Sequence, residues 1–137
     1  MRRLHSRSRL TYALLIVVTM ILGLASRRFS HFLPWWMAKN AGDLLYATMA
    51  FWLTGFLVPY LSTISTALIA TLFCFSIEFL KFCQLPWLAE ARNSTVGALV
   101  LGRGFHVSNL VCYALGVGLA VLIERSLQRK RGLTGKR

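Results

Sequence analysis

Residues 44–77, LLYATMAFWLTGFLVPYLSTISTALIATLFCFSI, decide the fold, because about 34 residues pass without a charged side chain. As one helix they would measure about 50 Å, much more than the ~30 Å hydrocarbon layer of a bilayer. Pro59 lies near the middle, and a proline can end one helix and begin a tight turn because it lacks a backbone N–H. The stretch therefore predicts a helical hairpin with membrane spans at residues 43–60 and 63–81.

Two further apolar runs, at residues 10–26 and 106–124, are each long enough to cross the hydrocarbon layer. The prediction is an all-α, polytopic membrane bundle of four transmembrane helices, with residues 1–137 forming a single integral membrane domain. Residues 86–105 join the last two spans, and their apolar part is too short to cross. We expect this connection to lie at the outer interface or to re-enter the bilayer against other helices.

The N-terminus also has features of a secretory signal: basic residues, an apolar core and Gly23-Leu24-Ala25 before Ser26. Cleavage there would leave three spans. The apolar core is slightly long for a signal, and two arginines follow it at once, which favours an uncleaved first helix.

The charge balance indicates a membrane protein rather than a nucleic-acid-binding one. Lys and Arg total 16 against 4 Asp and Glu, a net charge of +12, although 56% of residues are hydrophobic and the mean hydropathy is +0.59. A nucleic-acid surface would place its basic residues on one folded face among aromatic residues, whereas here they flank the apolar runs. The predicted partner is the lipid bilayer, and nucleic acid is not expected to bind.

The positive-inside rule predicts the orientation. With four spans, the basic ends at residues 1–9 and 125–137 lie on one side and carry ten Lys and Arg, against six on the other side, where five lie in the two loops and Lys81 ends the third span. Both termini are therefore expected in the cytoplasm, and loops 27–42 and 82–105 outside.

Five polar residues are expected to meet at the outer side of the bundle: Asp43, Glu78, Gln84, Arg92 and Asn109. An ionisable group inside a span costs several kcal/mol unless it is paired or wetted, so Glu78 needs a partner. Arg92 is favoured over Lys81, because a planar guanidinium matches a carboxylate. Two interpretations stay open: a polar ligand pocket between the second, third and fourth helices, or a salt-bridge network that ties the loop to the bundle.

Other polar and small residues have simpler interpretations. Asp43 is also consistent with a helix N-terminus, where the helix dipole favours a carboxylate, and Glu90 and Glu124 are expected to be solvated boundary residues. Small residues recur at packing distance on the last helix, in the pairs Ala114 with Gly118 and Gly116 with Ala120. They suit packing within the chain, with a homo-oligomer seam as the alternative.

Neither a metal, a cofactor nor an enzyme activity is predicted. His5, His31 and His106 have no carboxylate or Cys at ligand spacing, and the three cysteines lack paired spacing. The sequence also shows no nucleophile with a neighbouring base, so catalytic residues are not assigned.

Several short motifs occur along the chain in the order in which a known family has them: Gly23-Leu24-Ala25-Ser26-Arg27, Gly42-Asp43-Leu44-Leu45, Ile77-Glu78, Gln84, Arg92, Leu101-Gly102-Arg103-Gly104-Phe105, Asn109-Leu110, Tyr113 and Gly116. Through them, residues 10–124 resemble the small bacterial membrane proteins of the family of unknown function 2809. The acid–Gln–Arg–polar order also resembles the broader VanZ-like group, which is linked with resistance to glycopeptide antibiotics such as teicoplanin.

The resemblance implies a multipass protein of the bacterial cytoplasmic (inner) membrane with about four helices. The motif residues that it implies are Arg27, Asp43, Glu78, Gln84, Arg92 and Gly116. Asn109 stands where the family pattern has Asp, and because an amide cannot titrate, a proton relay is not carried over to this position.

Three functions follow as hypotheses. The first is a cell-envelope binding or accessory protein whose outward-facing polar pocket holds an anionic lipid head group or a lipid-linked envelope precursor. The second is a small proton-coupled transporter that uses Glu78 as its titrating group. The third is a structural membrane subunit without a ligand, whose polar cluster locks the helices together.

Overall fold

A computed structural model describes residues 8–80, 86–101 and 107–134, and over these ranges the chain is helical without any strand. The α-helices are α1 (Arg9–Arg28), α2 (Trp35–Leu57), α3 (Thr63–Leu80), α4 (Pro86–Asn93), α5 (Thr95–Leu101) and α6 (Val107–Thr134). A short 3₁₀ turn, Ser30–Phe32, lies between α1 and α2. The predicted all-α class is confirmed.

Within the described ranges, three helices are long and apolar enough to cross a membrane: α1, α3, and α6 over Val107–Leu133. Much of their apolar surface points outward, including Leu14 and Ile21 on α1 and Leu72 on α3, as expected for side chains that face lipid. The first part of α2 carries the charged residues Lys39 and Asp43, and α2 is not among these three helices. The crossing by α2 stays a prediction.

The α2–α3 hairpin has the predicted turn at Pro59, but its first helix begins earlier than predicted. α2 starts at Trp35, directly after Pro34, and not at residue 43. Asp43 therefore lies inside the helix, and its interpretation as an N-terminal carboxylate is wrong. After the turn, the Ser62 hydroxyl accepts a hydrogen bond from the Ser65 backbone N–H at 3.1 Å, which caps the start of α3.

The connection between α3 and α6 contains two short helices, both too short to cross a bilayer. α4 and α5 are separated by Ser94, whose hydroxyl accepts a bond from the Gly97 backbone N–H at 3.0 Å. α5 also contacts α3. At its other end, α6 extends to Thr134, well past the predicted end at residue 124. At 28 residues it is about 42 Å long, so its basic last turns extend beyond the hydrocarbon layer.

α2 is the centre of the bundle and packs against α1, α3 and α6. Small residues allow these close approaches: an added Cβ at Gly116 of α6 would overlap the Leu44 carbonyl oxygen of α2, and one at Gly55 would come within 2.5 Å of the Tyr12 ring of α1. Around Gly55, the Tyr12 and Trp52 rings meet edge to face at 5.6 Å. Gly116 and Ala120 thus pack within the chain, whereas Ala114 and Gly118 face outward.

The helix contacts define two ends of the bundle. At the first, the Glu78 end, α1 and α3 finish and α2 and α6 begin. At the opposite Glu124 end, the start of α1 meets the later part of α6 through Tyr12 and Glu124. The positive-inside prediction assigns the Glu78 end to the outer side.

Candidate functional site

The best-defined polar site is the Glu78 cluster, which consists of Glu78, Asn109 and Tyr113. Glu78 lies near the end of α3 and is 0% exposed. The Asn109 Nδ2 group donates to Glu78 Oε1 at 3.3 Å, and the Tyr113 hydroxyl donates to Oε2 at 3.1 Å. The cluster therefore joins α3 to α6 through both oxygens of one buried carboxyl group.

Helix geometry explains why these two donors act together. Asn109 and Tyr113 are four residues apart, so they lie one above the other on the same face of α6. Gly116 continues this face and brings α6 against α2, where the Thr48 hydroxyl donates to the Gly116 carbonyl oxygen at 3.0 Å. The close α2–α6 approach and the Glu78 cluster are thus built on one helical face.

Asp43 approaches the same region from α2. It is half-buried and lies within electrostatic range of the Tyr113 and Cys112 side chains. The Tyr46 ring, one turn further along α2, stands 6.1 Å from the Tyr113 ring. Three of the predicted site residues, Asp43, Glu78 and Asn109, are therefore brought together from three different helices.

Arg92 lies at the end of α4, and its Nη2 group donates to the Leu80 carbonyl oxygen at 2.7 Å. Leu80 is the last residue of α3, where carbonyl groups lack a helical partner and a cation is favoured by the helix dipole. Arg92 therefore ties the α4–α5 connection to the end of α3. The Glu78–Arg92 pairing stays a prediction, and Gln84 and Lys81 lie outside the described residues.

A second buried carboxyl group was not predicted. Glu124 is 2% exposed and accepts a hydrogen bond from the Tyr12 hydroxyl, so its interpretation as a solvated boundary residue is wrong. Nearby, Arg131 Nη2 donates to the Thr11 hydroxyl at 2.9 Å. The spacing could have revealed it: Glu124 continues, at steps of three and four residues, the buried face formed by Asn109, Tyr113, Val117 and Ala120.

The Glu78 cluster can perform two kinds of chemistry. Both bonds described above come from neutral donors, so the carboxyl oxygens act as acceptors and hold two helices at a fixed distance. A carboxyl group is also ionisable, and an ionised carboxylate within a membrane span is costly unless it is paired or wetted. The site therefore combines a structural link between α3 and α6 with a buried ionisable side chain.

The model of one protein family matches residues 32–117, and its description is protein of unknown function (DUF2809). The chain belongs to the DUF2809 family. The match extends from the end of the first loop into α6, so it includes the Glu78 cluster, Asp43 and Arg92. It is narrower than the resemblance over residues 10–124, because α1 and Glu124 lie outside it.

No solved structure matches this DUF2809 protein. The family match confirms the predicted resemblance to the family of unknown function 2809. The relation to the VanZ-like group stays a prediction.

Proposed function

We propose that this DUF2809 protein is a non-enzymatic accessory protein of the bacterial inner membrane that binds an anionic lipid head group or a lipid-linked envelope precursor at the Glu78 end. The supporting observation is the arrangement of charge at this end. Arg27, Arg28 and Lys39 are exposed and Arg92 is half-buried, whereas Glu78 is withdrawn completely into the bundle. Such an end attracts phosphate groups, and arginine forks bind them through paired hydrogen bonds.

The proposal includes four spans with both termini in the cytoplasm. α2 has 23 residues, about 34 Å, which is long enough to cross. It packs against three candidate spans, and protein neighbours reduce the need for an apolar surface. The exposed Trp35 and Trp36 at its start suit the head-group level of the outer leaflet.

The test is native mass spectrometry of the detergent-purified protein together with its co-purifying lipids. Arg92→Gln is expected to reduce the bound anionic lipid and to change sensitivity to glycopeptide antibiotics, which would also support the VanZ-like relation. Arg129→Gln is the matched control, because Arg129 is an exposed basic residue near the other end of the bundle. Equal lipid content and equal sensitivity in the wild type and both variants would contradict the proposal.

A proton-coupled transporter is the second candidate, and the observation that favours it is the second buried carboxyl group. Asn109 and Glu124 are about 22 Å apart along α6, so the two acids, Glu78 and Glu124, lie near opposite ends of the bundle. The buried hydroxyl groups of Thr48 and Thr66 are also within the bundle. Proton flux into liposomes that disappears in Glu78→Gln would favour this candidate, and flux equal to that of empty liposomes would exclude it.

The structural-subunit hypothesis is supported by the hydrogen bonds of Glu78 to α6. It expects Glu78→Ala to lower stability and expression without any separate phenotype. A variant that folds at wild-type yield but loses lipid or changes antibiotic sensitivity would count against it.

A further inference from the structure

A groove runs between α1 and α2, close to the Glu78 end of the bundle, and has a volume of about 140 Å³. Its lining is almost entirely apolar, and Arg27 stands at one end of it. The residues that line it are Thr19, Met20, Gly23 and Leu24 of α1 with Gly42, Leu45, Tyr46 and Met49 of α2. A closed apolar cavity of roughly this size, about 150 Å³, can hold a benzene ring, so this groove can hold a segment of hydrocarbon chain.

Two glycines form the groove. A Cβ at Gly23 would meet no atom within 4 Å, so this position opens into free space rather than into a packed contact. On the opposite wall, a Cβ at Gly42 would lie 3.6 Å from Nε and 3.8 Å from Nη2 of Arg27. The Arg27 side chain therefore extends from α1 to Gly42 of α2 and places its guanidinium group at the end of the groove.

We propose that this groove binds one anionic phospholipid, with an acyl chain along the groove and its phosphate on Arg27. The apolar wall matches the chain, and the guanidinium group matches the phosphate through paired charge-assisted hydrogen bonds. Arg28 and Lys39, both exposed near the same end, add positive charge around the head group. A lipid that was held only by annular contact would lack this combination of a shaped wall and a cation at its end.

The groove extends from the expected head-group layer into the hydrocarbon layer, as a bound phospholipid would. Arg27 is next to the last residue of α1, and the exposed Trp35 begins α2, so both stand where a span reaches the head-group layer. From that level the groove runs along α1 towards Thr19, two turns deeper into the hydrocarbon layer. The inference deepens the proposed function, on which it rests, because it assigns the bound lipid a place on the protein.

The test measures binding of phosphatidylglycerol and phosphatidylcholine to the full-length protein by native mass spectrometry. The wild type is expected to bind one phosphatidylglycerol in preference to phosphatidylcholine. Arg27→Gln should weaken phosphatidylglycerol binding about tenfold and abolish the preference, while Arg27→Lys should retain part of it, since a charged hydrogen bond contributes this order of affinity. Equal binding of the two lipids to the wild type would overturn the proposal.

A second pair of variants tests the groove itself. Gly23→Phe should fill the groove and weaken the binding of both lipids about tenfold or more. Gly118→Phe is the matched control, because Gly118 is also a helical glycine with no atom within 4 Å of an added Cβ, but lies on the outer face of α6. Gly23→Leu provides a smaller change if Gly23→Phe does not fold.

Lipid binding by the Gly23→Phe and Gly118→Phe variants decides whether the groove is the lipid site. Unchanged binding in folded Gly23→Phe, or an equal loss in Gly118→Phe, would refute the groove as the lipid site. If Arg92→Gln still reduced co-purified lipid or changed antibiotic sensitivity, the proposed function would stand while this site for the acyl chain failed. If neither Arg92→Gln nor Arg27→Gln had any effect, both proposals would fail together.

Discussion

Replacing Gly116 by alanine should force α2 and α6 apart, and this is the most direct test of the bundle. The new Cβ would overlap the Leu44 carbonyl oxygen and come within 3.0 Å of the Ala47 Cβ. Because the Leu44 carbonyl oxygen belongs to the α2 backbone, it cannot rotate away and the two helices must separate. Overpacking of this kind costs about 1–3 kcal/mol. Separation also stretches the Thr48 bond to the Gly116 carbonyl, and such bonds contribute about 0.6 kcal/mol in membrane bundles. After the gain of up to about 1 kcal/mol from the better helix propensity of alanine, we expect a net loss of about 1–3 kcal/mol in the free energy of unfolding.

Gly118→Ala is the control for this change on the same helix. An added Cβ there meets no atom within 4 Å, so the variant should be neutral or gain up to about 1 kcal/mol from the better helix propensity of alanine. The assay is unfolding of the purified protein by titration with sodium dodecyl sulfate in mixed micelles. Adding Ala47→Gly to Gly116→Ala removes the Ala47 Cβ and should recover part of the lost stability. The recovery should be small, because the overlap with the Leu44 carbonyl oxygen remains. Equal free energies of unfolding for Gly116→Ala and Gly118→Ala would refute the close α2–α6 packing.

Two further predictions use the same unfolding assay, and a third uses proteolysis. Glu78→Gln should be more stable than Glu78→Ala by about 1–3 kcal/mol. The glutamine amide oxygen still accepts one hydrogen bond, whereas alanine leaves both donors, Asn109 and Tyr113, without their acceptor. Equal stability of the two variants would contradict the Glu78 cluster. Tyr12→Phe should lose about 1–2 kcal/mol through its bond to Glu124, while Tyr60→Phe, at an exposed position, should change stability by less than about 0.5 kcal/mol. Gly97→Ala should destabilise the α4–α5 turn, measured as faster proteolysis there, because its Cβ would overlap the Ala91 carbonyl; unchanged proteolysis would argue against this turn.

The sequence predicts which polar residues lie near one end of the bundle, but not which of them form hydrogen bonds with each other. Asp43, Glu78 and Asn109 are polar residues near the ends of apolar runs, so their positions along the chain place them at one end of the bundle. The bonds of Glu78 to Asn109 and Tyr113 depend on the rotation of α3 and α6 about their own axes, which the order of residues does not specify. Arg92 donates to the backbone carbonyl of Leu80, a contact that its position in the chain does not predict, and its pairing with Glu78 stays a prediction.

The burial of Glu124 shows the same difference between position and contact. At the end of an apolar run and next to Arg125, an acid is consistent with a solvated boundary, and sequence position alone favours that interpretation. In the structure, side chains join the start of α1 to this part of α6, and the Tyr12 hydroxyl donates to the carboxyl group. The helical spacing on α6 indicates that Glu124 lies on the buried face, but its partner Tyr12 is 112 positions away in the chain, so only the tertiary arrangement identifies this contact.

The sequence by itself determined the helical class, the apolar runs of α1, α3 and α6, and the hairpin turn at Pro59, because these depend on local composition and on the missing N–H of proline. The tertiary structure decided which face of each helix is buried. A membrane helix is apolar on all sides, so it lacks the amphipathic stripe that marks the inner face of a soluble helix. Only small and polar residues then distinguish the faces, and the α2–α6 contact at Gly116 decides which of them meet.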